Sequence, residues 1–339
     1  MKAASVKNID TIEHLTPIQQ LSELLQEEMS AVNKAIINRI GSSVPLIPQL
    51  AQHIISAGGK RIRPLLTLAF ANLMNYHGRR HIPLAASIEF IHTATLLHDD
   101  VIDESDLRRN KPSANALWDN KACILVGDFL FGRSFELMTD DGNIDVLKVL
   151  SNVASTIIEG EVLQLITMND ISTSEEKYFE IIKSKTAKLF SAACEIGAVV
   201  ADASDIQRQA ITDYGRFFGI SFQLIDDLLD YSANSAELGK SIGDDFKEGK
   251  ITLPVILAYH HSNEEEKEFW VRTINNVDQN DLDFPRAIAI MKKYKVFETV
   301  KLRAYDFADK ASQALDIFAD SPMKTCLQES SYYCVNRIN

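Results

Sequence analysis

Apolar residues recur every three or four positions along most of this 339-residue chain, which is the spacing that lines one face of an amphipathic helix. The first such segment runs from Ile18 to Ile40, after a Thr16-Pro17 start typical of a helix cap. Further segments cover 47–56, 65–76, 83–102, 121–138, 144–166, 175–199, 206–230, 252–260, 264–275, 283–294, 296–317 and 322–335. The pattern predicts an all-α protein. No linker or repeat divides it, which predicts one domain over 1–339 with a polar, flexible segment at 1–17.

Two acidic clusters with the spacing DDxxD follow apolar helical residues. The first contains Asp99, Asp100 and Asp103, and the second contains Asp226, Asp227 and Asp230. Helix positions four apart lie on one face, roughly 5–6 Å apart at Cβ, so Asp99 and Asp103 present two carboxylates side by side. Mg²⁺ prefers such oxygen ligands and commonly bridges them to substrate phosphates. One acidic cluster alone is usually a solvated helix face, but two clusters on apolar helices predict a Mg²⁺–diphosphate site.

The formal net charge is −12, which argues against general binding to nucleic acid or to anionic membranes. An anionic substrate then requires local cations, and the candidates are Lys60, Arg63, Arg108, Arg109, Lys185, Lys240 and Lys250. GGKRIRP (58–64) fits an anion site at a helix start and a solvated basic linker equally well. On charge pattern alone, the lysines at 183–188 fit a solvated helix face better than a binding site.

Cysteine usage and apolar run length bear on the cellular compartment. The four cysteines have no CxxC spacing, which predicts buried free thiols in a reducing cytosol. The first residues have no signal-peptide pattern, and no apolar run approaches the roughly 20 residues that span a bilayer. We therefore expect a cytoplasmic protein without a transmembrane segment. Asp128 lies inside the apolar run ILVGDFLF, where we expect a buried, hydrogen-bonded carboxylate.

Several motifs occur in a fixed order: GGKRIRP, DDVID followed by RR, EGEVLQL, a KT pair, FQLIDDLLD and GDDFKEGK. In these motifs the sequence resembles the trans-isoprenyl diphosphate synthases, from about residue 18 to the end, and most of all their long-chain octaprenyl branch. Asn110 departs from the glycine that usually follows the arginine pair. The resemblance implies an isoprenoid synthase fold of about ten or more helices around a deep central cavity, usually as a homodimer. It also implies head-to-tail addition of isopentenyl diphosphate to an allylic diphosphate, with farnesyl diphosphate as primer and three Mg²⁺ per site.

The resemblance also implies residue roles. Direct Mg²⁺ ligands would be Asp99, Asp103 and Asp226, supported by Asp100, Asp227 and Asp230. The allylic diphosphate would be held by Arg108, Lys185, Thr186, Gln223 and Lys240. Isopentenyl diphosphate would be held by Lys60, Arg63, His92 and Arg109, with Lys250 as further countercharge. Catalysis would depend on Asp99, Asp103, Asp226, Lys185 and Lys240. No side chain is an obvious base, so the proton would leave with pyrophosphate, and His92 fits a diphosphate hydrogen bond better than a base.

Product length has an argument of its own. Thr95 and Ala94 lie about 6–7.5 Å below the first carboxylates along the helix and are small enough to let a growing chain pass. We expect Ala94→Phe to shorten the product. Met138 and Leu150 are preferred over Phe131 and Phe135 as the floor, although ordinary core is the commoner role for each. The resemblance implies an octaprenyl product, with geranylgeranyl to decaprenyl lengths open. It also implies use in a quinone side chain, and we expect transient membrane contact for release of the product.

Three rival interpretations make different predictions. A class I terpene cyclase typically replaces the second cluster by an N/D-S/T-E motif and lacks GGKxxRP, whereas this chain has both DDLLD and GGKRIRP. A silent partner subunit would have lost one acidic cluster, and both are present. Acidic clusters with a purely structural role would show no diphosphate chemistry at all.

Overall fold

The computed structural model describes residues 15–56, 59–108, 111–232 and 243–336. Within these ranges the chain is almost entirely helical. The helices are α1 (Pro17–Leu24), α2 (Gln26–Arg39), α3 (Leu46–Ser56), α4 (Ile62–Leu73), α5 (His81–Ile102), α6 (Ala114–Leu117), α7 (Asn120–Asp141), α8 (Ile144–Thr167), α9 (Glu175–Ile182), α10 (Lys188–Val200), α11 (Asp205–Ser232), α12 (Asp244–Lys247), α13 (Leu253–His261), α14 (Glu264–Trp270), α15 (Asp283–Lys293), α16 (Val296–Ala314) and α17 (Pro322–Asn336). The predicted all-α class is confirmed.

Two short strands form a hairpin after α5. Strand β1 (Leu107–Arg108) pairs antiparallel with β2 (Lys111–Pro112). The hairpin turns the chain back beside the end of α5, so that Arg108 faces the acidic cluster of that helix.

Polar caps set several helix starts. Thr16 and Gln19 form a reciprocal capping box at α1, with Pro17 in its first turn as the sequence predicts. Asp119 accepts a hydrogen bond from the Ala122 N–H at α7, and Asn143 caps α8. Each cap satisfies backbone donors that have no partner within the helix.

Three predicted helices, 18–40, 175–199 and 264–275, are interrupted. The segment 18–40 breaks at Leu25, whose backbone leaves the helical region (φ −112°, ψ 22°) while its side chain stays fully buried. The segment 175–199 contains a π-helical turn, Lys183–Ala187, between α9 and α10. A second π-helical turn, Val271–Asn275, follows α14. Each π turn accommodates an extra residue, which a search for 3.6-residue periodicity does not detect.

The core divides into three apolar clusters. The first lies among α1–α5, α7, α10, α11 and α17, and the second among α9, α11 and α13–α17. The third fills the space between α5, α7, α8 and α10, and includes Ile91, Met138, Leu150 and Ile157. Helices α5 and α11, of 22 and 28 residues, pack into these clusters while presenting acidic residues to a shared cavity. All four cysteines are buried and none forms a disulfide among the described residues, as predicted.

One prediction, the burial of Asp128, is wrong, because this residue lies on the outer surface of α7. The Asp128 carboxylate is 63% exposed, 3.6 Å from His98 Nε2, so the expectation of a buried aspartate is wrong. The apolar run around it is divided between two environments: Val126 and Leu130 are buried in the first core cluster, whereas Leu125 is 67% exposed and Phe135, further along α7, is 42% exposed. On α8, Ile158, Val162, Leu165 and Ile166 are exposed too. We call this surface the α7–α8 face.

By length and composition, α8 is also the one helix among the described residues that could cross a membrane, with 22% of its most apolar window buried. This is weak evidence for a membrane span. Its inner side carries Glu161, which pairs with Lys185 inside the protein. That side therefore forms a wall of the cavity described next.

Candidate active site

A cavity of about 1080 Å³ lies between α4, α5, α8, the Lys183–Ala187 π turn and α11. Asp99 and Asp103 line it from α5, and Asp226 and Asp230 line it from α11. The two acidic clusters predicted from the sequence therefore contribute to one site. This placement follows from helix geometry, because the first and last members of each DDxxD share a helix face.

The first cluster lies at the C-terminal end of α5, where Asp103 is the cap and donates its N–H to the Asp99 carbonyl over 2.8 Å. Burial raises the pKa of Asp99; the nearby Lys185 opposes this rise, and repulsion by Asp103 adds to it. Asp103 Oδ2 accepts a hydrogen bond from Lys250 Nζ at 3.0 Å. The pair is therefore a strained anionic site that a cation would stabilise.

Asp100 points away from this pair and is 1% exposed. Its Oδ1 and Oδ2 both accept hydrogen bonds from Arg108 Nε at 2.8 Å, and Oδ1 also accepts from Nη2 at 2.5 Å. A helix rotates by 100° per residue, so a residue next to Asp99 cannot share its face. The structure thus places two residues with predicted ligand roles, Asp100 and Arg108, in a buried ion pair with each other.

In the second cluster, the middle carboxylate is again held by the protein. Asp227 is 5% exposed and accepts hydrogen bonds from Tyr178 Oη at 2.5 Å and Gln223 Nε2 at 2.6 Å. Burial and the charge of Asp245 raise the pKa of Asp227 to about 7, against the effect of these two hydrogen bonds. Gln223 Oε1 in turn accepts from the Thr186 hydroxyl at 2.8 Å. Asp230, at the cavity wall, accepts from the Asp245 N–H at 3.1 Å.

Two lysines in the cavity already have acidic partners. Lys250 Nζ lies 2.6 Å from Glu248 as well as 3.0 Å from Asp103. Lys185 Nζ lies 2.6 Å from Glu161 Oε2. Burial acts to lower the pKa of Lys185, but the carboxylates of Asp99 and Glu161 raise it, so the ammonium stays charged. The basic group at 183–188 is therefore more than a solvated helix face.

Residues 59–63, within the GGKRIRP motif, line another wall of the cavity. Arg63 Nη1 lies 3.2 Å from His92 Nε2, and its guanidinium stacks 4.0 Å over the Phe190 ring. Lys60 Nζ lies 5.6 Å from the centre of the Tyr333 ring. Four residues were predicted to hold isopentenyl diphosphate, and the structure describes three of them. These three, Lys60, Arg63 and His92, all line the cavity. A purely solvated linker does not account for this arrangement.

Arg109 and Lys240, together with Asn110 and Arg337, lie outside the described residues. Within the described ranges, no three acidic, histidine or cysteine side chains converge as a ready metal site. Two carboxylate pairs on opposite walls still suit Mg²⁺, which keeps several waters and takes further ligands from substrate phosphates.

Sequence reasoning missed Glu161, Gln164, Tyr178 and Glu248, all of which contact residues it did select. The motif EGEVLQL could have indicated Glu161 and Gln164. Glu161 and Gln164 lie three apart on an otherwise apolar helix, the spacing of side chains that share a face.

Residues 44–291 match the model of the polyprenyl synthetase family. This chain belongs to that family. It is 44% identical over 320 residues to octaprenyl diphosphate synthase from Escherichia coli K12, which covers 94% of this chain and 99% of the relative.

Two solved structures have the same fold. A decaprenyl diphosphate synthase from Rhodobacter capsulatus superposes with a TM-score of 0.92 at 50% identity, covering 95% of this chain and 100% of that one. A polyprenyl synthase from Caulobacter crescentus, solved with calcium and isoprenyl diphosphate, has a TM-score of 0.92 at 45% identity, covering 95% and 98%. The predicted isoprenoid synthase fold is confirmed.

Members of the polyprenyl synthetase family are prenyltransferases that join isopentenyl diphosphate head-to-tail to an allylic diphosphate and use Mg²⁺. The cavity of this polyprenyl synthetase has the features this chemistry requires: carboxylates for a hard cation and several cations for diphosphates. The intact second cluster and GGKRIRP argue against the terpene cyclase alternative.

Residues below the carboxylates bear on product length in this polyprenyl synthetase. Thr95 lines the cavity, whereas Ala94 is fully buried in the first apolar cluster. Ile157 also lines the cavity and belongs to the third cluster, as do Met138 and Leu150, both fully buried. Phe135, a weaker candidate for the floor, is exposed instead. The roles of Met138 and Leu150 stay a prediction.

Proposed function

We propose that this protein is an octaprenyl diphosphate synthase that elongates farnesyl diphosphate with isopentenyl diphosphate units. The observation that carries the proposal is the single cavity in which Asp99, Asp103 and Asp226 lie on facing helices together with Lys185. Such an arrangement suits a diphosphate held through metal ions and a lysine.

In this proposal Asp99, Asp103 and Asp226 ligate the metal directly, and three Mg²⁺ bind with the allylic substrate. When bound, Mg²⁺ neutralises charge that develops on the departing diphosphate. Lys185 contributes a fixed positive charge at the same end, and such preorganised electrostatics is commonly the largest catalytic effect.

The second substrate is proposed to lie against Lys60, Arg63 and His92. Arg63 is held by the Phe190 ring and His92, which limits its motion and suits it to bind a diphosphate in a fixed position. Holding both substrates side by side makes attack of the isopentenyl double bond effectively intramolecular. No described side chain is positioned as an obvious base, so we assign the proton to the released pyrophosphate.

An eight-unit product is supported by the 44% identity to an octaprenyl synthase over nearly the full length of both chains. A ten-unit product is the second candidate, because the R. capsulatus decaprenyl synthase is 50% identical over 95% of this chain. The small Thr95 in the cavity wall is compatible with either. We propose a quinone side chain as the use of the product.

We further propose that a second copy of this chain covers the α7–α8 face. Ile158, Val162, Leu165 and Ile166 expose between 53% and 70% of their surface on successive turns of one helix, and exposed apolar patches of this kind mark interfaces. Leu165→Arg should convert a dimer to a monomer by light scattering, whereas Leu302→Arg, at a position of α16 that is 65% exposed, should leave the dimer intact. A monomeric wild type would contradict this proposal.

The cytoplasm is the proposed location, supported by four buried cysteines without a disulfide. With the α7–α8 face covered by a second copy, membrane contact is proposed to be transient and limited to product release.

The test is incubation of purified protein with Mg²⁺, farnesyl diphosphate and labelled isopentenyl diphosphate, followed by chromatography of the products. We expect Mg²⁺-dependent release of pyrophosphate and an eight-unit product. A chelator should abolish the reaction. Absence of pyrophosphate release in every condition would overturn the synthase proposal, and a single cyclised product would favour the cyclase.

A further inference from the structure

Helix α8 and the Lys183–Ala187 π turn approach each other unusually closely at Gly160. A Cβ atom at this position would lie 2.8 Å from the backbone nitrogen of Lys185 and 2.9 Å from Cβ of Ser184. A larger residue would therefore push the two segments apart. The glycine and the π turn together bring the start of the Lys185 side chain against the inner side of α8.

The next turn of α8 then holds the end of that side chain. Lys185 Nζ donates to Glu161 Oε2 at 2.6 Å and to Gln164 Oε1 at 2.7 Å. The Lys185 and Glu161 side chains are 22% and 18% exposed, so this ion pair is largely shielded from bulk water. A lysine ammonium has three N–H donors, and this arrangement uses two of them.

All three residues line the cavity beside the metal-ligand candidate Asp99. Asp99 is the strongest of the charges that stabilise the Lys185 ammonium. The third N–H is thus the one left for an oxygen atom on the cavity side, at the end of the site assigned to the allylic diphosphate.

We propose that Glu161 and Gln164 are positioning residues that fix the Lys185 ammonium for the allylic diphosphate. This inference rests on the proposed function and adds two residues that act through Lys185. A free lysine side chain samples many rotamers, whereas a lysine held at two points keeps its charge where the leaving group needs it. Glu161 and Gln164 each accept one hydrogen bond from Lys185 Nζ, so the ammonium is held at two points only when both residues are present.

The test uses steady-state kinetics of the full-length enzyme with each substrate varied in turn. Glu161→Ala should lower kcat/KM for farnesyl diphosphate about 10- to 100-fold, the effect expected for losing a hydrogen bond to a charged group. The KM for isopentenyl diphosphate should change less than about twofold. Glu161→Gln, which keeps an acceptor oxygen, should recover most of the loss.

A double-mutant cycle shows whether Glu161 acts through Lys185. In a Lys185→Ala background, Glu161→Ala should lower kcat/KM for farnesyl diphosphate by less than a further factor of about two. Gln164→Met should give a smaller loss of the same kind without removing a charge. Glu159→Gln is the matched control, because this exposed glutamate lies two residues away on the same helix, and it should leave every constant unchanged.

Three results would overturn the inference in an active wild type: additive losses in the double variant, equal losses for both substrates, or tighter farnesyl diphosphate binding after Glu161→Ala. The last would make Glu161 a competitor for Lys185. A wild type with no turnover would instead count against the proposed function, and against this inference because it depends on it.

Discussion

The two acidic clusters have the same DDxxD spacing but hold their middle carboxylates differently. Asp100 is locked by the charged, bidentate Arg108 from the β1–β2 hairpin. Asp227 is held by two neutral donors, Tyr178 and Gln223. In the first cluster Asp99 and Asp103 line the cavity and Asp100 does not, whereas in the second cluster all three aspartates line it. Asp227 is nevertheless 5% exposed and, like Asp100, is hydrogen-bonded within the protein. In both clusters the middle aspartate therefore anchors its helix, and the first and last are the more accessible to a ligand.

The largest expected effect is on the cavity-facing residues. Asp99→Asn and Asp226→Asn should each lower kcat by about 10³-fold, which corresponds to about 4 kcal/mol of lost metal-assisted stabilisation. Steady-state kinetics at saturating Mg²⁺ measures this. Melting temperatures should not fall, because Asp99→Asn removes a buried charge next to Asp103. Asp306→Asn on the exposed side of α16 is the control and should be fully active.

The middle residues should differ in stability instead. Asp100→Asn leaves Arg108 without its carboxylate in a buried setting and should lower the free energy of unfolding by about 3–5 kcal/mol. Asp227→Asn leaves polar neighbours that carry no charge and should cost about 1–2 kcal/mol. Urea unfolding of the metal-free protein gives both values. Equal costs would show that the charged and neutral anchors do not differ.

The walls below the clusters also differ, since the residue four positions before the first aspartate is Thr95 in one and Phe222 in the other, and both line the cavity. Thr95→Phe should shorten the product to about the farnesyl or geranylgeranyl class. Ala94→Phe should act in the same direction at an extra cost of about 1–3 kcal/mol, because Ala94 is fully buried. Phe222→Leu is the matched control. An unchanged product from Thr95→Phe, by chromatography, would refute this placement.

The smallest expected effect is a pH dependence of the free energy of unfolding, which arises from Glu161 near the first cluster. Burial and the charge of Asp99 raise the pKa of Glu161 to about 7, against the effect of Lys185. The folded protein therefore binds this proton more tightly than the unfolded chain, and stability falls as pH rises. From pH 6 to pH 8 the free energy of unfolding of the metal-free protein should fall by on the order of 1 kcal/mol more than that of the Glu161→Gln variant. Identical slopes in urea unfolding would contradict the shift.

Periodicity and spacing predicted the parts of this protein that depend on local geometry. Helices α5 and α11 and the shared face of Asp99 and Asp103 follow from the 3.6-residue repeat alone. Contacts between residues that are far apart in the sequence were harder to predict. The pairing of Asp100 with Arg108 depends on how the hairpin folds back, and that of Asp227 with Tyr178 joins residues 49 positions apart in the chain.

Two errors have a common cause. Asp128 was expected inside because its neighbours are apolar, yet only some of them, such as Val126 and Leu130, are buried, and Leu125 is exposed with Asp128. An apolar composition predicts that a segment is buried, but it does not say whether it is buried in the core of the protein or against another chain. The π turn that places Lys185 against Glu161 was missed for a related reason, since an extra residue in one turn breaks the period without changing the residue types.

The distinction between metal ligands and a buried middle aspartate in each cluster can be tested directly by anomalous diffraction from crystals grown with Mn²⁺ and a thiolo analogue of farnesyl diphosphate. We expect Mn²⁺ peaks bonded to Asp99, Asp103 and Asp226, with Asp100 still paired to Arg108. A peak bonded to Asp100 with Arg108 displaced would contradict the account.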